Sequence, residues 1–100
     1  FWLEAAPKLW RFYEKLGFYR IPIEYRIPNY HDSGTESMGL FVCVHSSIAG
    51  ISLTELKALI YHLMTHSYAL SLKDPRLQLQ MQRLTENQPD YFEVPYAYRY

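Results

Sequence analysis

The stretch Phe12-Tyr13-Glu14-Lys15-Leu16-Gly17-Phe18 constrains this chain more than any other. It reads as the last turns of an amphipathic helix, a glycine stop and the first residue of a strand. Pro7 suits the first helical turn, where a missing N–H costs nothing and φ is already near its helical value. Leu9, Phe12, Tyr13 and Leu16 follow the i, i+3, i+4, i+7 spacing, which predicts a helix over Pro7 to Leu16 with one apolar stripe. Glu14, Lys15 and Arg11 lie off that stripe. Gly17 stands where the chain leaves a helix through positive φ, a conformation glycine adopts without steric cost. Lys15 in the last turn complements the helix dipole.

The rest of the chain divides by pattern. Phe1 to Glu4 reads as a short strand. Phe18 to Ile27 is rich in Tyr, Ile and Phe but carries Pro22, which inside a strand marks an edge or a bulge. Pro28 to Ser37 reads as a polar loop, and Met38 to His45 as a strand buried on both faces or central in its sheet, closing a hairpin with a long connection. Ser52-Leu53-Thr54-Glu55 matches a capping box. A helix of about 18 residues should follow it, ending near Leu70 to Leu72. Its expected buried face is Leu56, Leu59, Ile60, Leu63, Ser67 and Leu70. Asp74-Pro75 starts another helix, with Leu77, Met81 and Leu84 on its apolar side and an end near Glu86. From Pro89 the chain reads as an extended aromatic tail without clear period. The order strand, helix, strand, strand, helix, helix predicts an α+β fold. Residues 1–45 form its sheet portion, 46–88 a helical extension and 89–100 the tail, all in one structural unit.

Composition bounds the function. One hundred residues make at most one domain. Ten basic and ten acidic residues cancel, so nothing argues for nucleic acid or an anionic membrane as partner, and little protects the chain from self-association. Cys43 is the only cysteine, which excludes an internal disulfide and fits a reducing, cytoplasmic setting. No apolar run approaches the roughly 20 residues of a membrane span. The opening Phe-Trp-Leu-Glu has no basic n-region and no methionine, so the expectation is a fragment, or a chain whose start was removed.

Leu3-Glu4-Ala5 followed by Phe12-Tyr13-Glu14-Lys15-Leu16-Gly17-Phe18 resembles a signature near the C-terminal end of the GNAT superfamily of acyl-CoA N-acyltransferases. The resemblance covers roughly residues 1–45. Ala6 to Arg11 is shorter than usual for the family, and residues 46–100 lie outside its core. It implies the C-terminal part of a mixed sheet belonging to an enzyme that moves an acetyl group from acetyl-CoA to an amine, on a small molecule or a protein. Tyr13 stands at the position that commonly protonates the departing thiolate. A phenol, with a pKa near ~10, is a suitable acid for a thiolate whose conjugate thiol lies near ~8.5. The family grips the cofactor's pyrophosphate with Arg/Gln-x-x-Gly-x-Gly/Ala at a helix N-terminus, where a row of backbone N–H groups meets the phosphates. No such segment occurs here; Gly34, Gly39 and Gly50 are isolated. This portion alone is therefore expected to bind acetyl-CoA poorly, and its cofactor-binding residues are not assigned. The resemblance also implies a parallel neighbour beside Phe1–Glu4. Without it, that edge is expected to self-associate or to be disordered.

Other residue types weigh less. Glu4 ends a strand facing a helix N-terminus and is the favoured carboxylate for acid–base work; Glu14 and Glu24 are further carboxylates. His62 and His66 stand four apart on a helix, but no Glu follows His62 and no third ligand is placed, so no metal site is expected. His31 and His45 read as a polar loop and a strand end. Cys43 reads as an inert small hydrophobe. Tyr13 itself has a plainer reading as a core tyrosine with a bonded hydroxyl. The second functional class is a small non-catalytic α+β interaction module, whose tyrosine-rich segment Tyr91 to Tyr100 meets a partner.

Overall fold

In the computed structural model, which describes residues 1–29, 31–43, 49–86, 88–95 and 98, the apolar run after the polar loop is the middle of the main sheet. That strand, Thr35–Val42, starts earlier than its apolar run and shortens the loop before it. In chain order the strands are β1 (Trp2–Ala5), β2 (Tyr19–Arg20), β3 (Tyr25–Pro28) and β4 (Thr35–Val42). β4 pairs antiparallel with β1 on one edge (Leu3 opposite Phe41, Glu4 opposite Leu40) and with β2 and β3 on the other. Pro22 splits the expected second strand in two, and a tight turn closes the break, with the Ile23 N–H on the Ile21 carbonyl at 2.8 Å. β1 is formed rather than disordered, and among the described residues its outer edge carries no strand.

Alternation along β1 and β4 gives the sheet two unlike faces. One takes α1 (Trp10–Lys15), entered through a 3₁₀ turn at Pro7–Leu9. Trp10 lies flat against it: the indole N–H donates to the Ala5 carbonyl at 2.8 Å, and Arg20 stacks on the ring at 4.0 Å. Gly39 makes this possible, because a Cβ there would run into the indole nitrogen of Trp10. The predicted stripe of α1 does not face a core. Leu9, Phe12 and Leu16 are 41%, 56% and 53% exposed, and only Tyr13 turns inward.

The other face builds the main core from Leu40 and Val42 against α2 (Leu53–His62) and α3 (Pro75–Arg83). Ser52 caps α2 as expected, its Oγ accepting from the Glu55 N–H at 3.1 Å. The return arm differs from a capping box: the Ser52 hydroxyl donates to the Glu55 carboxylate at 3.0 Å. The helix is shorter than the expected 18 residues. After His62 it widens into a π turn, Leu63–Ser67, and it ends at Ala69, where φ is +52°. The Thr65 hydroxyl donates back to the Tyr61 carbonyl at 2.9 Å, a bond that competes with the helical ladder. The wider turn brings Met64 into the core and leaves Ser67 exposed. α3 starts at Asp74-Pro75 as predicted but stops at Arg83.

Two strands escape the periodicity reading. β5 (Gly50–Ser52) pairs antiparallel with β6 (Tyr91–Glu93), so the aromatic tail holds a strand whose Phe92 is buried in the core, as is Val94 just beyond it. The fold is α+β, with two sheets and three α-helices among the described residues, and one apolar cluster runs from β3 and β4 through α2 and α3 to Phe92 and Val94.

Candidate functional site

Tyr13 is placed by the way α1 ends. Gly17, at φ +94°, turns the chain out of the helix. The Gly17 N–H donates to the Glu14 carbonyl and the Phe18 N–H to the Tyr13 carbonyl, each at 3.1 Å, a complete Schellman motif. The half-buried Tyr13 ring sits among Phe12, Phe18 and Phe41, with centroids at 5.2, 6.0 and 5.9 Å. Its hydroxyl forms no hydrogen bond among the described residues, unlike a core tyrosine tied to a neighbour.

Glu4 lies on the opposite face of the sheet. Tyr13 packs on Phe41, the cross-strand partner of Leu3, whereas Glu4 is opposite Leu40 in the main core. The two residues favoured for acid–base chemistry are therefore not brought together. Nor does Glu4 address a helix N-terminus: its Oε2 accepts from the Tyr68 hydroxyl at 2.5 Å. The Tyr25 hydroxyl is buried beside this pair without a well-formed hydrogen bond. Burial, and then the charge of Glu4, push the Tyr25 phenol well above the usual tyrosine range, so it stays protonated. Glu4 also lines a groove of about 260 Å³ with Trp2, Leu3, Leu40, Leu59 and Leu63, between β1 and α2. Nothing in the local pattern announces Tyr25 and Tyr68 as its partners, because Tyr68 is 64 residues away in the chain.

The N-termini of α2 and α3 are both occupied. Ser52 and Glu55 fill that of α2, and the Asp74 carboxylate accepts the Arg76 N–H of α3 at 2.9 Å. A carboxylate at a helix N-terminus takes the electrostatic place a pyrophosphate needs. Arg26, Arg76 and Arg83 line a second groove of about 220 Å³. Asp74 and Glu24 offset two of those charges, at 2.8 and 3.4 Å.

The remaining candidates do not assemble. The exposed rings of His62 and His66 lie 4.3 Å apart, and among the described residues no group of three or more His, Cys, Asp or Glu could hold a metal ion. His31 is exposed in its loop, and His45 lies outside the described residues. Cys43 is half-buried just past β4, where its backbone exchanges hydrogen bonds with Phe1. Glu14 is exposed. Of the tail, Tyr91 is exposed and Tyr98 packs on Tyr19 at 5.4 Å, while Tyr96 and Tyr100 lie outside the described residues. Among the described residues no helix is long and apolar enough to cross a membrane. Compared with protein-family models, with curated proteins and with solved structures, the chain has no significant match.

Proposed function

We propose that these residues are the C-terminal portion of a GNAT-like N-acetyltransferase that moves an acetyl group from acetyl-CoA to an amine, with Tyr13 as the acid that protonates the departing thiolate. The observation that carries this reading is the uncovered side of the β1–α1 unit. The outer edge of β1 has no strand among the described residues, and Leu9, Phe12 and Leu16 present an apolar stripe to solvent. An unpaired edge and an exposed apolar stripe are what a sheet leaves when its neighbour belongs to another segment. The unbonded Tyr13 hydroxyl stands on the same helix. With α2 and α3 both capped at their N-termini, the grip on acetyl-CoA falls to residues outside this portion, which alone is inactive.

A second reading has its own support. One core joins the sheet to α2, α3 and β6, and the Schellman motif gives Gly17 and Phe18 a structural reason to be there. On that reading the chain is a non-catalytic interaction module, and the stripe of α1 and the edge of β1 receive a partner or a second copy.

The test is acetyl-CoA turnover by the full-length protein across a panel of small-molecule and peptide amines. Amine-dependent release of free coenzyme A supports the acetyltransferase. Its absence for every amine, together with a low-micromolar dissociation constant for acetyl-CoA on the 100-residue chain, would remove both the activity and the incomplete cofactor site.

A further inference from the structure

We propose that the groove between β1 and α2 binds an ammonium group carried on an apolar body, with the Glu4 carboxylate as its counter-ion. A partly buried charge is costly unless it is paired. Glu4 is half-buried, yet it forms no ion pair among the described residues. Its well-formed hydrogen bond comes from a phenol, that of Tyr68, on Oε2. The neighbouring Tyr25 hydroxyl is buried beside Glu4 and held protonated, so it brings no positive charge either. The carboxylate thus lies beside two phenols and, among the described residues, without a cation.

The walls define the rest of the ligand. Leu40, Leu59 and Leu63 are apolar, and they would not solvate a hydrated metal ion. Trp2 lines the same groove, two residues from Glu4 and so on the same side of β1. Indole is the side chain that attracts a cation most strongly through its π face. Glu4, Trp2 and four leucines around about 260 Å³ complement a primary amine bearing a ring or a branched alkyl group. The binding does not depend on the acetyltransferase reading, whose acid, Tyr13, stands on the other face of the sheet.

The experiment is a two-dimensional NMR titration of the 100-residue chain with 2-phenylethylamine and, separately, with the neutral isostere 2-phenylethanol. The amine is expected to shift the Trp2 indole N–H and the amides of Leu3, Leu59 and Leu63 saturably, and the alcohol to bind at least about tenfold more weakly. Glu4→Gln should weaken the amine by a similar factor, and Leu59→Phe, which fills the groove, should abolish the shifts. Equal binding of amine and alcohol, unchanged affinity in Glu4→Gln, or no saturable shift with wild type would overturn the proposal. The wild-type comparison decides the question even if a variant fails to fold. Amine binding in this groove and acetyl-CoA turnover by the full-length protein are separate readouts, so the failure of one leaves the other standing.

Discussion

Tyr13 and Phe18 are joined twice: the Phe18 N–H donates to the Tyr13 carbonyl at 3.1 Å, and their rings meet edge to face with centroids 6.0 Å apart. The first link belongs to the backbone and the second to the side chains. Together they satisfy orphan carbonyls at the end of α1 and fix the angle at which the chain enters β2. Tyr13 is therefore part of a helix stop whatever its hydroxyl does. Chemistry at this position must be tested with a change that keeps the ring.

The hinge of that stop is Gly17. At φ +94° an alanine is strained by about 1–2 kcal/mol. Gly17→Ala should lower stability by that amount in urea unfolding, with the slope unchanged. Wild-type stability would mean that the turn relaxes to another conformation.

Gln80 is the only fully buried polar side chain among the described residues, and it works as a short piece of strand. Its Oε1 accepts from the Arg26 N–H at 2.9 Å, and its Nε2 donates to the Glu24 carbonyl at 3.0 Å, closing the outer edge of β3. Gln80→Ala leaves both backbone groups unsatisfied and should cost about 2–4 kcal/mol. The exposed Gln82→Ala on the same helix should change stability little. Equal effects of the two substitutions would contradict the bidentate role.

Asp74 gives α3 a pH dependence. Its side-chain hydrogen bonds from Arg76, and then the Arg76 N–H, lower its pKa from an ordinary 3.8 to about 2. A carboxylate whose folded pKa is depressed adds stability that is complete above its unfolded pKa and is lost as pH falls through the folded one. The loss should therefore run from near pH 4 down through about 2. Thermal melts should show this acid decline flattened in Asp74→Asn. An identical decline in both proteins would assign it to other groups.

Local chemistry was legible where one residue dictates one conformation. Gly17 ends α1, Ser52 and Asp74 cap α2 and α3, and Pro22 breaks a strand. Alternation in the tail was readable too, since Phe92 and Val94 are buried while Tyr91 and Glu93 are exposed, but the proline-flanked aromatics obscured it. Contacts set by tertiary packing were not legible. The π turn coincides with a threonine bond to the backbone inside a good helical pattern. Gln80 is buried only because β3 offers it two backbone groups. The stripe of α1 says only that a face is apolar, not that this chain covers it. At the site, Tyr13 and Glu4 are near in sequence yet separated by the sheet, and the partners of Glu4 come from β3 and from beyond the π turn.

The most direct test of the account is the pH–kcat profile of the full-length protein with wild-type Tyr13 and with Tyr13→Phe. If the phenol protonates the thiolate, the substitution should lower kcat by roughly 10²-fold and remove the limb of the profile that reports the acid. Thermal stability should be nearly unchanged, because the ring and its contacts with Phe18 and Phe41 are kept. An unchanged kcat across the whole pH range would contradict the account and leave Tyr13 as one half of a helix stop.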